Sequence, residues 1–480
     1  MTGNAIRFVL NGEVVETVVD DPTRTVLQFL REDRRLKGTK EGCAEGDCGA
    51  CTVVVAEADG ENLRLRTVNS CICFLPTIDG REVITVEGLR GADGGLHPVQ
   101  QAMVDEHASQ CGFCTPGFVM SLFALYRENQ SPSRRDIDDA LSGNLCRCTG
   151  YRPIIAAAQS MSDAADGWDE ASHVAALRQV AREGDLHLEH DGRRFFAPAD
   201  ICSLARTCAQ YPEATILAGG TDVGLWVTKQ HRSLDTVIYT GRVAELREIE
   251  RTETHLEIGG AATLASAMPA IVAAFPGLEE LFRRFASPPI RNAGTLGGNI
   301  ANGSPIGDSM PALMVVGSTL VLRRGEDERE VALDDFYRDY RVNDLQPGEF
   351  VARIRVPLPA KGDVVRSQKW SKRFDQDISA VCTAYRLRVS NDKVEEFRMA
   401  CGGLAATIRR ATRCEAVVNG APWSEATIDK ACAALAEDFS PISDMRASAD
   451  MRLVAAQNLL RRFWLETIDE APATVYNYGR

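Results

Sequence analysis

Eight of the fifteen cysteines in this 480-residue chain form two groups of four near the N-terminus. In the first group, three cysteines follow the spacing Cys-x4-Cys-x2-Cys, and the fourth comes from a separate segment after nineteen intervening residues. Three thiols on one loop and a fourth from a distant segment are typical of a plant-type [2Fe–2S] cluster. The spacing therefore predicts that the chain folds around such a cluster, with the ligands Cys43, Cys48, Cys51 and Cys71.

The residues around this first cysteine group favour iron over zinc. Gly42, Gly46 and Gly49 allow the loop to turn tightly and to direct backbone N–H groups at the cluster sulfurs. A structural zinc site usually takes two Cys-x2–4-Cys pairs, each on its own turn, and loose reduced thiols are the other alternative. Cys73 lies two residues beyond Cys71, and spacing alone leaves both as candidates for the fourth ligand.

The second cysteine group consists of a Cys-x2-Cys pair and a Cys-x-Cys pair. Alone, such pairs also fit zinc or a redox-active disulfide. Each pair precedes a proline-containing segment that is predicted to start a helix, and helix N-termini favour thiolates. Beside a ferredoxin loop, we interpret the pairs as ligands of a second [2Fe–2S] cluster in a small helical bundle, namely Cys111, Cys114, Cys146 and Cys148.

Two glycine-rich loops lie further along the chain, at residues 218–222 and 294–299. The first follows an apolar, strand-like segment, so its glycines can bring backbone N–H groups against a pyrophosphate. Either loop alone is more often only a tight turn, and the absence of Gly-x-Gly-x-x-Gly argues against a Rossmann site. Two such loops together favour one extended dinucleotide.

Charge and hydropathy narrow the range of partners. The net charge of −13 and the pI near 5.2 argue against binding to nucleic acid or to an anionic membrane surface. The N-terminus lacks a basic segment followed by an apolar one, so no secretory signal is expected. The longest uncharged apolar run, residues 309–322, is too short to cross a bilayer. We therefore expect a cytoplasmic protein with reduced cysteines.

Patterns of apolar residues divide the chain into five segments. Residues 1–92 alternate as short strands around a hairpin turn at Asn11-Gly12, followed by a helix capped at Asp21-Pro22-Thr23. Residues 93–162 lack strand signals and predict about four helices. A polar linker is expected at 163–190, an α/β region at 191–361, and strands followed by helices at 362–480.

Three cysteine motifs and the two glycine loops occur here in one order, and in that order they resemble the motifs of the xanthine oxidase family of molybdenum hydroxylases. The resemblance extends from about residue 5 to the C-terminus. It implies a multidomain α+β fold: a β-grasp [2Fe–2S] ferredoxin domain, an all-α [2Fe–2S] helical bundle, an α/β FAD-binding domain of the vanillyl-alcohol-oxidase type, and an α+β C-terminal flavoprotein domain like that of CO dehydrogenase. The motifs are EGCAEGDCGACT (41–52), QCGFCTPG (110–117), GNLCRCTGY (143–151), LAGGTD (217–222) and GGNIANGSPIGD (297–308).

The resemblance also implies which residues contact FAD. Phe285 matches the family's aromatic residue that stacks on the flavin, Asp308 matches the acid after Ser-Pro, and Lys369 matches the lysine of the last FAD strand. Val351 matches a residue whose backbone contacts FAD in the family, in a stretch where the match to the family is looser. Without the resemblance, Asp308 and Lys369 would be interpreted as an ordinary surface ion pair. The two loops contribute Ile216, Leu217, Ala218, Gly219, Gly220, Thr221, Asp222 and Val223, and Thr295, Leu296, Gly297, Gly298 and Asn299.

For function, the resemblance implies an electron relay. A partner subunit would oxidise hypoxanthine or xanthine at a molybdopterin centre, and this chain would carry the electrons through two [2Fe–2S] clusters to FAD and then to NAD⁺. The chain ends where a molybdopterin domain would begin in the family, and the resemblance implies an assembly with two copies of each subunit, a heterotetramer. Residues 371–377 match a charged loop that lies near the flavin in the family and tunes access of NAD⁺; alternatively, they are simply a solvated loop.

Two other functions remain open at this point. The same cofactors can serve a molybdenum partner that oxidises an aldehyde, an N-heterocycle such as quinoline, or carbon monoxide. A zinc-ribbon scaffold without a redox role would explain the cysteine pairs, but it leaves the ferredoxin loop and the glycine loops unexplained. The sequence alone also leaves open whether NAD⁺ or oxygen is the final electron acceptor.

Overall fold

The N-terminal part of the chain is a five-stranded mixed sheet, seen in a computed structural model that describes residues 4–91, 94–129, 131–161 and 166–468. The strand order is β2-β1-β5-β3-β4, with β1 parallel to β5 and the other neighbours antiparallel. Asn11 and Gly12 both have positive φ (52° and 84°), as a two-residue hairpin turn of this kind requires. The elements are β1 (Ala5–Leu10), β2 (Glu13–Val18), α1 (Val26–Gln28), β3 (Thr52–Asp59), β4 (Asn62–Asn69) and β5 (Glu82–Ile84).

The first helix begins later than the expected cap at Asp21-Pro22-Thr23. Its cap is Thr25, whose side chain accepts a hydrogen bond from the backbone of Gln28 while the Gln28 side chain bonds back to Thr25. Asp21 instead accepts hydrogen bonds from the backbone and the hydroxyl of Thr23. An Asp followed by this local turn competes with a helix start, which is why the prediction was wrong by one turn.

A helical bundle follows the sheet and shares a core with it. Phe118 and Phe123 of the longest helix pack in one buried cluster with Val54 and Ile84 of the sheet. The bundle therefore packs against β3 and β5 of the sheet, and β3 begins directly after the first cysteine loop. Its helices are α2 (Pro98–Asp105), α3 (Thr115–Glu128), α4 (Arg134–Leu141) and α5 (Arg152–Ser160), which agrees with the expected four.

The polar segment after the bundle packs back on the N-terminal sheet. It contains α6 (Glu170–Val180), which contacts β1 and β4. His173 of this helix lies 2.7 Å from the carboxylate of Glu82, whose side chain is fully buried in the sheet. Arg127 of the bundle pairs with Glu170 at 2.7 Å. Residues 162–165, which begin the predicted linker, lie outside the described part of the chain.

Two larger sheets, together with one small two-stranded sheet, form the central α/β region. The first has the order β6-β7-β9-β8, and its Phe195 and Val237 share a buried cluster with Phe8 and Phe74 of the N-terminal sheet. The second is antiparallel, with the order β10-β11-β16-β12-β13. The elements are α7 (Ile201–Gln210), α8 (Val223–Thr228), α9 (Leu264–Ala274), α10 (Glu279–Arg284), α11 (Pro288–Ala293), α12 (Leu296–Asn302), α13 (Ser309–Val315) and α14 (Leu333–Phe336), with β6 (Leu186–His190), β7 (Arg193–Ala197), β8 (Thr215–Leu217), β9 (Thr236–Tyr239), β10 (Ile249–Arg251), β11 (His255–Gly259), β12 (Thr319–Arg324), β13 (Asp327–Ala332), β14 (Tyr337–Asp339), β15 (Val342–Asn343) and β16 (Phe350–Pro357).

The C-terminal region is a four-stranded sheet covered by helices. Tyr385 of the sheet stacks on Phe463 of the last helix, with ring centroids 4.4 Å apart. Among the residues described, no helix combines the length and the apolar character that crossing a bilayer requires. Together, the separate sheets and helical regions described above confirm the predicted multidomain α+β fold class. The elements are β17 (Val364–Trp370), β18 (Val381–Ser390), β19 (Lys393–Gly402), β20 (Arg409–Arg410), α15 (Thr412–Val418), α16 (Glu425–Asp438) and α17 (Ala449–Ile468).

Phe463→Ala tests the packing of the C-terminal region. The side chain is fully buried, so we expect truncation to lower the free energy of unfolding of this region by about 3–5 kcal/mol. Leu465→Ala on the same helix is the control, because Leu465 is 51% exposed and its loss should cost less than about 0.5 kcal/mol. Denaturant unfolding followed by tryptophan fluorescence measures both, and equal effects would contradict the described packing.

Candidate cofactor sites

The first cysteine group lies on a loop whose backbone is bent by three residues with positive φ. Ala44, Gly46 and Gly49 have φ values of 55°, 78° and 70°. The bends bring the four thiols together: the sulfurs of Cys51 and Cys71 are 3.3 Å apart, and the backbone N–H of Cys48 donates to the sulfur of Cys43. The spacing on the chain is thus converted into one compact set of sulfur donors.

The thiols of this group lie close enough to form hydrogen bonds with one another, and these bonds shift their pKa values. The pKa of Cys43 is lowered, first by hydrogen bonds from the thiols of Cys48 and Cys71 and then by the backbone N–H groups of Cys48 and Glu45. The pKa of Cys71 is raised, because its thiol donates to the sulfurs of Cys43 and Cys51. Within the described residues, no three metal-ligating side chains surround a single point. The four sulfurs instead follow one another in a chain of contacts, Cys48 to Cys43 to Cys71 to Cys51, and a two-iron cluster takes four such thiolates.

Cys73 faces away from this group. Its sulfur lies 3.4 Å from the hydroxyl of Thr77, and burial raises the pKa of its thiol. The two candidates for the fourth position are therefore separated by the backbone between them: Cys71 points to the other three thiols and Cys73 points to Thr77.

The second cysteine group is assembled by two loops that each precede a helix. The sulfurs of Cys111 and Cys148 are 3.4 Å apart. Burial and a hydrogen bond to Cys146 raise the pKa of Cys114 to about 12. Burial alone would raise the pKa of Cys146, but hydrogen bonds from Thr149 and from backbone N–H groups lower it to about 7. Four thiols with N–H donors around them suit a second cluster.

The two cysteine groups are in direct contact. The backbone N–H of Leu145 donates to the carbonyl of Cys48 at 3.0 Å, and the buried side chain of Asn144 donates to the carbonyl of Gly49 at 3.2 Å. A Cβ atom on Gly117 would lie 2.1 Å from the Gly49 carbonyl oxygen. Gly117 lies in the first turn of α3, and any side chain there would push this helix away from the first cysteine loop.

A cavity of about 400 Å³ lies between the two glycine loops, and we call it the glycine-loop cavity. A Cβ on Gly219 would lie 2.0 Å from the carbonyl oxygen of Ala293, and one on Gly297 would lie 2.4 Å from that of Gly260. At both positions one backbone segment crosses another so closely that only glycine, which has no side chain, fits between them. The predicted residues that line the cavity are Ile216, Ala218, Gly219, Gly220, Thr221, Asp222, Val223, Phe285, Thr295, Gly297, Gly298, Asn299 and Val351.

Four other predicted residues lie outside the lining of this cavity. Leu217 and Leu296 are buried beneath the loops. Lys369 donates to Asp308 at 2.6 Å, and Ser379 donates to the other carboxylate oxygen at 2.6 Å. The side chains of Lys369 and Asp308 are each 2% exposed, so the interpretation as a surface ion pair was wrong. A buried, fully paired couple of this kind ties β17 to the start of α13, and removing one partner would be costly.

Several residues of the cavity were missed by sequence reasoning. Trp226 lies on α8, one turn after the first glycine loop, and its ring N–H donates to Asp222 at 2.9 Å. Gly260, Ala286 and Leu345 reach the cavity from three other parts of the chain. Trp226 had a local signal, since it lies three to four residues from the loop on a helix. The others had none, because only the tertiary fold brings them to the loops.

Replacement of Cys71 and of Cys73 tests the assignment of the fourth thiol. We expect Cys71→Ser to remove about half of the bound iron, because one of two clusters loses a ligand, and Cys73→Ser to retain about four iron atoms per chain. Iron analysis and visible absorption measure both. Equal iron loss in the two variants would contradict the observed orientations.

Gly219→Ala tests the glycine-loop cavity. The added methyl group must displace the backbone at Ala293, so we expect at least a tenfold loss of FAD affinity, or about 1.4 kcal/mol. Gly60→Ala is the control, because it adds the same methyl group at a hairpin glycine with open space around it, and the positive φ of Gly60 (67°) makes it the more strained backbone position of the two. Flavin content after dialysis measures the effect, and full retention by Gly219→Ala would contradict this role for the loop.

Comparisons with known proteins match cluster-binding and FAD-binding domains to these parts of the chain. Four domain families match successive parts of the chain. They are the 2Fe-2S iron-sulfur cluster binding domain at residues 8–76, the [2Fe-2S] binding domain at 85–159, the FAD binding domain in molybdopterin dehydrogenase at 190–359, and the CO dehydrogenase flavoprotein C-terminal domain at 366–467. Two cluster-binding domains and an FAD-binding domain are therefore present.

Individual relatives share these domains. The chain is 33% identical to a xanthine dehydrogenase of Emericella nidulans, over 91% of this chain and 36% of the relative. It is 30% identical to the xanthine dehydrogenase/oxidase of Gallus gallus, over 98% of this chain and 40% of the relative. The structure of a Cu,Mo-CO dehydrogenase chain is similar, with a TM-score of 0.53 and 26% identity, over 56% of this chain and 94% of that one.

The chain thus spans about two fifths of the length of the curated relatives it matches. The part that it shares with them carries both cysteine groups and both glycine loops. With its two [2Fe–2S] domains, FAD-binding domain and C-terminal flavoprotein domain in the family's order, the chain belongs to the xanthine oxidase family of molybdenum hydroxylases.

Proposed function

We propose that this chain is the FAD and iron–sulfur subunit of a xanthine dehydrogenase, active only together with a molybdopterin-containing subunit. The observation that carries the proposal is the unbroken series of contacts from the second cysteine group, through the first, to the glycine-loop cavity. When bound, the clusters transfer single electrons, and the flavin collects two for delivery to NAD⁺. The chain itself supplies position, packing and electrostatics.

The first contact in this series joins the two cysteine groups. Leu145, next to Cys146, donates to the carbonyl of Cys48, so one backbone hydrogen bond separates residues of the two ligand sets. The second contact joins the first group to the cavity. A Cβ on Gly220 would lie 3.4 Å from the carbonyl of Ile72, the residue after Cys71. These short links support transfer from the second cysteine group to the first and then to FAD.

Individual roles follow from this arrangement as part of the proposal. The eight cysteines of the two groups hold iron, and the predicted loop residues with Phe285 and Val351 contact FAD. Asp308 and Lys369 support the flavin region through their buried pair. The corresponding domains are residues 1–92 and 93–162 for the two clusters, 163–190 as linker, 191–361 for FAD, and 362–480 as the C-terminal domain.

The surface around the second cysteine group supports a partner on that side. Cys111 and Cys148 are exposed, and the neighbouring Phe113 is 45% exposed. A redox centre must approach its partner closely, and an exposed aromatic residue beside it suits a protein interface. We place the molybdopterin subunit here, in a heterotetramer with two copies of each chain, and NAD⁺ at the flavin near residues 371–377.

A second candidate function is the same relay for a different molybdenum subunit. Aldehyde oxidase 2 of Rattus norvegicus is 29% identical over 98% of this chain. A quinoline 2-oxidoreductase from Pseudomonas putida 86 has a TM-score of 0.52 at 25% identity, over 56% of this chain and 94% of that one. Substrate choice lies in the partner, so the purified complex should be tested with xanthine, an aldehyde and quinoline. If the complex reduces NAD⁺ with xanthine but with neither the aldehyde nor quinoline, this result supports the first proposal.

Cofactor content tests the relay directly. Purified from a host that builds iron–sulfur clusters, the chain should bind about four iron atoms and one FAD, as expected for two [2Fe–2S] centres and one flavin. Metal analysis, flavin release and paramagnetic resonance after dithionite reduction measure this. Stoichiometric zinc without a visible chromophore would refute the relay and favour a zinc scaffold.

Cys114→Ser tests the order of the relay in the assembled complex. We expect the variant to lose xanthine-driven reduction of NAD⁺ and to retain oxidation of NADH by the flavin with an artificial acceptor. Cys202→Ser is the control, because this exposed cysteine lies outside both groups and should leave both activities unchanged. Loss of both activities in Cys114→Ser would contradict the proposed order.

A further inference from the structure

Two side chains of the FAD-binding region hold the loop of the first cysteine group. The hydroxyl of Thr228 donates to the carbonyl of Ala44 at 2.8 Å, and the ammonium group of Lys229 donates to the carbonyl of Cys43 at 2.8 Å. Both residues lie at the end of α8, the helix that begins directly after the first glycine loop. The first cysteine loop is thus hydrogen-bonded by the helix that follows the first glycine loop.

These hydrogen bonds set the direction of peptide groups beside the thiols. In a trans peptide the carbonyl and the following N–H point in opposite directions. The carbonyl of Ala44 points to Thr228, so the N–H of Glu45 points back into the loop, where it lies within hydrogen-bonding reach of the Cys43 sulfur. Ala44 has a φ of 55°, which a non-glycine residue adopts only when its surroundings hold it there.

Close packing sets how near α8 lies to the first cysteine group and to Ile72, the residue after Cys71. A Cβ on Gly224 would lie 2.8 Å from both the carbonyl oxygen and the Cβ of Ile72. Leu225 packs against a buried cluster that contains Cys51, Cys71 and Ile72. The distance between α8 and the cysteine loop is therefore determined by backbone contact, and Thr228 and Lys229 are held at hydrogen-bonding distance.

Lys229 acts mainly through its hydrogen bond and less through its net charge. Its ammonium group lies 3.7 Å from the carboxylate of Glu45, and both side chains are more than 40% exposed, so solvent screens much of the charge. The direct hydrogen bond to the Cys43 carbonyl remains, and a charged donor strengthens such a bond. Hydrogen bonds and positive charge near cluster sulfurs favour the reduced form, which carries one more electron.

We propose that Thr228 and Lys229 are positioning residues that raise the reduction potential of the first [2Fe–2S] centre from the FAD-binding side. This inference rests on the proposed function, since it requires that the first cysteine group holds a cluster. Neither side chain touches a thiol, so both act through the peptide groups of Cys43, Ala44 and Glu45. The result would favour electron arrival at the centre that lies beside the glycine-loop cavity.

A potentiometric titration of the full-length chain, followed by paramagnetic resonance, tests this proposal. In the double variant Thr228→Val/Lys229→Met, we expect the equilibrium for reducing the first centre to fall about tenfold, a shift of about 59 mV to lower potential for one electron. The second centre in the same sample should keep its potential and serves as the internal control. Thr254→Val/Lys361→Met, at exposed sites elsewhere, should shift neither centre.

Three further outcomes decide the proposal. Thr228→Ser and Lys229→Arg retain the donors and should keep the wild-type potential, which a purely steric role would not predict. If the double variant loses iron, Lys229→Met alone should still lower the potential, because this side chain is 44% exposed and its removal leaves the packing intact. An unchanged potential with both centres present overturns the inference alone, whereas a wild-type chain without cluster signals overturns the proposed function.

Discussion

The close approach of the first cysteine loop to its two neighbours is the constraint on which the rest of the structure depends. On one side the carbonyls of Cys48 and Gly49 accept hydrogen bonds from residues 144–145 of the second cysteine loop. On the other side the end of α8 donates hydrogen bonds to the carbonyls of Cys43 and Ala44, and its first turn packs on Ile72, next to Cys71. Both contacts need glycine, at Gly117 and Gly224, because a side chain at either position would collide with the opposing loop. Three sites are thereby held in one row.

Shared cores make this row rigid. The N-terminal sheet buries one set of side chains against the helical bundle and another against the sheet β6-β7-β9-β8. The helix α6 closes over the sheet through the buried carboxylate of Glu82 and through Arg127. Apolar burial drives this association without directional preference, while the few buried polar pairs fix how the parts are oriented. Electron transfer depends on such fixed separations, so the packing serves the proposed function directly.

The sequence predicted features that are encoded by nearby residues. The hairpin at Asn11-Gly12 and the four helices expected within residues 93–162 were confirmed in the described part of the chain, because turn chemistry and apolar periodicity are local properties. The start of α1 was missed by one turn, where Asp21 makes a local turn of its own instead of a cap. The metal and FAD contacts remain predictions that the geometry supports.

By itself, the sequence determined that this chain carries two sets of four cysteines and two glycine loops, since residue type and spacing can be read directly from the order of the amino acids. Only the tertiary structure decided that Cys71 and not Cys73 joins the first group, that Asp308 and Lys369 form a buried pair, and that Thr228 and Lys229 contact the cysteine loop. These contacts join residues from 61 to 186 positions apart or depend on which way one backbone segment turns. Their cause is long-range packing, which leaves no periodic or compositional signal in the chain.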